Sequence, residues 1–315
     1  MAKQSHASDP MSRLTPIVQR SKVKVIHARY MHRFSALFPS LFFKPFLTTS
    51  HFFQASRQAA AMTDNNRPVF FFDIDNCTIL TALSKEYVFI IAHELLGISI
   101  DSWLLPPGKK VHDLMSRLID AYFMKHLSLS QEDAFKLHQE YYRNYGLAIE
   151  GLVRHHKIDP IDYNEQVDDA LPLEDIISPD PVLRKMLQDI DRSKVKLWLF
   201  TNAYSTHGNR VVKLLGVDDM FEGMTYCDYA QYPIVCKPGV VMFTKAMKEA
   251  GVEDMKKCYF VDDSGLNCTA AEKLGWTTVH LVEEGDPLPA VQPCKLQIRN
   301  LEELRTLFPQ FFKAS

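Results

Sequence analysis

The sequence predicts an α/β fold, a parallel sheet flanked by helices, and three observations carry that prediction. A short apolar run stands at residues 69–72, and further strand segments follow at 195–200, 258–261 and 277–282. The continuous rather than alternating apolarity of 69–72 marks a strand buried on both faces. Between the later runs lie segments of helical character that stop at Gly216, Gly251 and Gly275, a residue that readily takes the left-handed conformation ending a helix. Strand and helix thus alternate at βαβ spacing, the pattern of a parallel sheet with crossover helices.

Each element has its own local reason. The first strand, VFFF at 69–72, runs directly into Asp73 and Asp75. Residues 84–177 read as a helical insert. It opens with a helix over 85–96 stopped by Gly97. Next, Val111, Leu114, Met115, Leu118, Ile119 and Tyr122 form an i, i+3, i+4, i+7 stripe. Ser130 with Asp133 resembles a capping box and starts a helix reaching about Tyr145. Pro160 and the acidic run 165–175 are expected to close the insert. Asp180 caps a helix with Pro181 in its first position, ending near Ile190. The strand 195–200 ends in Thr201 and Asn202, Lys237 precedes a helix over 240–250, and the strand 258–261 ends in Asp262 and Asp263. Asn300 with Glu303 caps the last helix. The expected organisation is a core of 63–83 and 178–315, an insert of 84–177, and an extension of 1–62.

Charge and composition exclude several classes. The extension holds nine Lys/Arg and one acid, Asp9, whereas the remainder carries 27 Lys/Arg against 37 acids. A mildly acidic body argues against nucleic acid as a partner. The Arg- and Ser-rich, acid-poor extension matches a mitochondrial transit peptide; the alternative is a disordered tail upstream of a working start at Met62. The expected location is cytoplasmic or nuclear, and mitochondrial if residues 1–62 act as a transit peptide. The apolar stretch 34–53 is broken by Pro39, Lys44 and Pro45, short of the roughly 18 residues that span a membrane. Six cysteines without C-x-x-C or zinc-like spacing read as free thiols in a reducing compartment.

Three strand ends therefore carry polar groups: Asp73 with Asp75, Thr201 with Asn202, and Asp262 with Asp263, while Lys237 stands before a helix. In a parallel sheet such ends converge on one crevice. Four carboxylates cannot all stay charged in a dry pocket. Either some are protonated or a divalent cation neutralises them, and an all-oxygen set that also receives phosphate suits Mg²⁺.

The stretches FFFDIDNCT, LFTNAY, YCDYAQYPIVCKPGVVMF and YFVDDSGLN, in this order, resemble the haloacid dehalogenase-like (HAD) hydrolase superfamily. They are similar to its fungal pyrimidine 5′-nucleotidases, as is YYRNYGLAIEGL in the insert. The resemblance covers residues 69–282. It implies a Rossmann-like HAD core with a helical cap inserted after the first motif, and a small-molecule nucleotide as substrate. It also implies that Asp73 is the nucleophile forming an aspartyl phosphate, and that Asp75 is the general acid and base, its proton affinity raised by neighbouring carboxylates. Thr201, Asn202 and Lys237 would bind the phosphoryl group. Mg²⁺ would be held by Asp73, the backbone carbonyl of Asp75 and Asp263, with Asp262 a direct or indirect ligand.

The position two after Asp75, commonly Thr in the superfamily, is Cys77, expected to pack rather than react. Asp75 itself favours phosphate esters, because phosphatases of this family have a second Asp and dehalogenases lack it. Other readings are a phosphatase for a sugar phosphate or lysophospholipid, and a regulatory protein that only binds phosphate. In the insert, Tyr141, Tyr142, Arg143, Tyr145, His155 and His156 could meet a nucleobase or could simply pack.

Overall fold

The computed structural model describes residues 67–75, 77–78 and 107–314, with 107–110 described by backbone alone. The extension 1–62 and the helix expected over 85–96 lie outside the described residues. Among the described residues six parallel strands form one sheet: β1 (Val69–Phe72), β2 (Lys196–Phe200), β3 (Met224–Thr225), β4 (Cys258–Asp262), β5 (Thr277–Leu281) and β6 (Leu296–Ile298). Their order is β3-β2-β1-β4-β5-β6, so β1 is central, with β2 on one side and β4 on the other. Registers pair Phe72 with Leu199 and with Val261, which brings the ends of these three strands to one level.

β1 is buried on both faces, as its continuous apolarity predicts. Phe70 and Phe72 enter one core with Leu197, Leu199, Val261 and Val279. Val69 and Phe71 enter the other, with Phe200, Phe243, Phe260 and Trp276. This period-2 split gives β1 no solvent face. Phe71 stacks on Trp276 at 4.8 Å between centroids, and burying one such ring stabilises by about 2 kcal/mol.

Between β1 and β2 the described residues form α1 (Pro107–Leu127), α2 (Gln131–Tyr145), α3 (Ala148–His155), α4 (Pro160–Gln166) and α5 (Leu173–Ile176). α6 (Pro181–Asp189) precedes β2, α7 (Ser205–Leu214) follows it, α8 (Val240–Ala250) precedes β4, α9 (Gly265–Lys273) follows it, and α10 (Leu304–Leu307) is near the end. The expected caps are present. Ser130 accepts from Asp133 N, and Asp180 accepts from the amides of Val182 and Leu183. Pro160 behaves differently from expectation, because it opens α4 rather than closing the insert. Asp159 accepts from Ile161 N ahead of it, and proline's missing N–H costs nothing in the first turn. All six cysteines are buried and free. No helix among the described residues is long and apolar enough to cross a membrane.

Residue 146, at the end of α2, is the point where the insert meets the sheet's loops. Gly146 takes φ +80°, and a Cβ there would overlap Lys237 O and Pro238 Cδ. Gly146→Ala is therefore expected to lose about 1–3 kcal/mol of stability, combining left-handed strain with the clash. A denaturation midpoint equal to wild type would contradict this.

Candidate active site

The three strand ends do converge, and the centre of the crevice is Lys237. Its side chain is fully buried yet reaches Asp73 Oδ1 at 2.8 Å, Asp262 Oδ2 at 2.7 Å and the Phe200 carbonyl at 2.8 Å. The three N–H groups of the ammonium are thereby all used. The rings of Phe200 and Phe260 flank the charge, with centroids 5.1 and 5.4 Å away, adding cation–π attraction where water is excluded. Burial lowers the lysine's proton affinity, but the charges of Asp262 and Asp73 outweigh it and hold the group protonated.

Asp73 is anchored by its own strand register, its amide donating to Val261 O at 3.0 Å. Burial pushes its carboxyl well above the usual range; Lys237 opposes this, while Asp262, Asp263 and Asp75 add to it. Asp262 is fully buried. Its Oδ1 accepts from Ser264 N at 2.7 Å, and Asn267 Nδ2 donates to both oxygens at 3.1 Å. Asp263 is partly exposed, and the His280 ring nitrogen lies 2.9 Å from its backbone carbonyl. One carboxylate oxygen from each of Asp73, Asp262 and Asp263 falls within a 4.8 Å group. Hard oxygen donors so grouped, beside one ammonium, fit the donor set of Mg²⁺.

Thr201 Oγ1 accepts from Ala203 N at 2.9 Å, which leaves its proton available to another acceptor. Asn202 seats Lys237: its Oδ1 accepts from Lys237 N at 2.7 Å and its Nδ2 donates to Lys237 O at 2.9 Å. The same Nδ2 lies 3.5 Å from Gly146 O, so one amide joins strand end, lysine and insert. Cys77 is buried, its thiol 3.9 Å from Val261 O, and burial beside Asp73 raises its proton affinity. The thiol therefore stays protonated, consistent with a packing role.

Asp75 requires a correction. Its carboxylate was expected to be raised by neighbouring acids, and it is lowered instead. Burial does push it up, but the charge and hydrogen bond of His207, with Lys237 and His112, prevail. His207 Nε2 stands 2.8 Å from Asp75 Oδ1. Sequence reasoning missed His207, a lone histidine in α7 with no spacing that singles it out. Asn267 was missed too, although it lies within the quoted run YFVDDSGLN.

The aromatic and basic residues of the insert separate cleanly. Tyr141 pairs with His156 at 2.6 Å, Tyr145 with His155 at 2.7 Å, and Arg143 donates to Gln139 O at 3.2 Å. These side-chain contacts stay within the insert. Tyr142 reaches over by its side chain, its hydroxyl 3.3 Å from Ser264 Oγ, beside Asp263, and the Tyr145 carbonyl accepts from Cys236 Sγ at 3.4 Å. Tyr163 also crosses over, packing on Tyr229.

A parallel sheet that gathers strand-end carboxylates around a buried lysine at its switch point defines the class: an α/β protein with its polar crevice at the carboxyl edge. Residues 68–275 match the haloacid dehalogenase-like hydrolases, and the chain belongs to that family. Phosphate metabolism protein 8 of Saccharomyces cerevisiae is 35% identical over 202 residues, 61% of this chain and 63% of the relative, so the chain spans 63% of that protein's length. Among solved structures, the L-2-haloacid dehalogenase of Xanthobacter autotrophicus with chloropropionic acid covalently bound is similar at 12% identity and TM-score 0.44, covering 77% of this chain and 98% of that one. The magnesium-bound HAD hydrolase YfnB of Bacillus subtilis is similar at 14% identity and TM-score 0.45, covering 76% and 98%.

Proposed function

We propose that this protein is a Mg²⁺-dependent phosphomonoesterase that cleaves nucleoside 5′-monophosphates, pyrimidine nucleotides foremost, through a phosphoryl group carried on Asp73. The observation that carries the proposal is the buried Lys237 tied to both Asp73 and Asp262, with a second aspartate two residues after Asp73. That pair supplies a nucleophile and a separate proton carrier. Support for a phosphate ester comes from the name of the yeast relative, a phosphate metabolism protein. Support for a nucleotide comes from the motif and insert resemblance described above.

Asp73 attacks phosphorus as the bond to the leaving oxygen breaks, and Asp75, which must enter this step with a proton on Oδ2 despite its lowered proton affinity, gives that oxygen its proton. Asp75 then takes a proton from the water that attacks the phosphorus and frees Asp73. Thr201 donates its hydroxyl proton to a phosphoryl oxygen. Lys237, with its N–H groups occupied, acts by charge and by fixing Asp73 Oδ1. Asn202 acts through Lys237, whose backbone it holds. Mg²⁺, held by Asp73, Asp263 and the Asp75 carbonyl, with Asp262 bracing the cluster, would offset charge on the transferring group. Helices α1–α5 act as the cap, with Tyr142 at its rim.

Phosphate release from UMP, CMP, AMP, a sugar phosphate and a lysophospholipid tests this, each with Mg²⁺ and with chelator. The expected result is Mg²⁺-dependent release, greatest for UMP or CMP. Release greatest for a non-nucleotide ester would overturn the nucleotide assignment, and no Mg²⁺-dependent release from any ester would overturn the phosphatase reading.

A further inference from the structure

The carboxylate group of Asp73, Asp262 and Asp263 does not include the Asp75 side chain. That side chain turns to His207, whose Nε2 meets Oδ1 at 2.8 Å. The imidazole is fully buried, and its Nδ1 has no hydrogen-bond partner among the described residues. Among those residues the bond to Asp75 is the ring's one hydrogen bond. A buried imidazole with a single hydrogen bond is costly as a packing group, and an apolar side chain of similar volume would fill the space.

The ring is also held from outside the crevice. α7 is pinned to the segment returning from the insert by Thr206 to Asp169 at 3.2 Å, by Arg210 to Glu174 at 2.8 Å and by Arg210 to Leu171 O at 3.0 Å. Asp168, a buried carboxylate, belongs to that segment. Helix and insert together therefore fix the ring against Asp75.

Resting on the phosphatase reading above, we propose that His207 is the positioning residue for Asp75. It holds Oδ1, so that Oδ2 is the oxygen presented to the leaving group, and it keeps the carboxylate out of the Asp73–Asp262–Asp263 cluster. His207 touches neither substrate nor phosphorus, and its effect on rate passes entirely through the proton that Asp75 delivers. Loss of the ring should matter in proportion to how much the leaving oxygen needs that proton.

Leaving-group chemistry tests this. p-Nitrophenolate departs without protonation, whereas an alkoxide needs its proton. kcat/KM for p-nitrophenyl phosphate and for the best alkyl ester of the panel would be measured with Mg²⁺ for wild type, His207→Gln and His207→Leu. His207→Leu is expected to lose about 100-fold on the alkyl ester and less than about threefold on the aryl ester. His207→Gln, which keeps an N–H in reach, should recover most of the loss. In an Asp75→Asn background, His207→Leu should change nothing further. Should the leucine variant not fold, His207→Asn, whose amide is too short to reach Oδ1, takes its place. Equal losses on both esters, or no loss on the alkyl ester, would overturn the role of His207 while leaving the phosphatase reading intact. A wild-type protein that cleaves neither ester would remove that reading and this proposal together.

Discussion

Replacing Asp73 by asparagine is expected to lower turnover by at least about 10⁴-fold, the scale seen when a nucleophile is removed, with no loss of folded protein. Asparagine keeps the size of the side chain and an oxygen for Lys237 to bond at the position of Oδ1. What it lacks is the anion that attacks phosphorus. The fold should tolerate the change, because burial and three neighbouring carboxylates already disfavour charge at Asp73. Residual phosphate release and the thermal unfolding midpoint, measured on the same preparation, separate the two effects. A variant that keeps wild-type turnover would remove Asp73 from its role.

Lys237→Met should have the opposite profile in stability, costing about 3–5 kcal/mol as well as activity. The lysine is 1% exposed and bonded to two buried carboxylates and a strand-end carbonyl. Without it, Asp73 and Asp262 face each other unpaired in a site walled by Phe200 and Phe260. Urea unfolding in chelator, so that no divalent cation replaces the ammonium, would show the full loss. Adding Mg²⁺ should return part of it. Unchanged stability in chelator would contradict the picture of Lys237 as the charge that holds the crevice together.

The sequence showed most of the frame because the frame is local. β1 is a continuous apolar run and β2 and β4 are largely apolar, and the neighbouring helices supply caps and glycine stops within a few residues. β3 and β6, of two and three residues, are too short to show any period and exist because Thr225 and Ile298 pair with strands already in place. Asp73, Thr201 and Asp262 could be assembled from sequence because each stands at the end of a strand, and Lys237 because it shortly precedes a helix. The state of Asp75 could not, since its partner His207 lies 132 residues away and a single histidine carries no pattern. Nearby acids suggested a raised carboxyl. The ring that lowers it comes from α7, whose placement depends on the packing of the insert as well as on the sheet.

The most direct measurement is capture of the phosphoryl group. Protein mixed with radiolabelled phosphate ester and Mg²⁺, then quenched in acid within a turnover, should carry an alkali-labile phosphoryl group on the peptide containing Asp73. The label should be absent from Asp73→Asn. Rapid turnover with no protein-bound label, or label on any other residue, would contradict nucleophilic catalysis by Asp73.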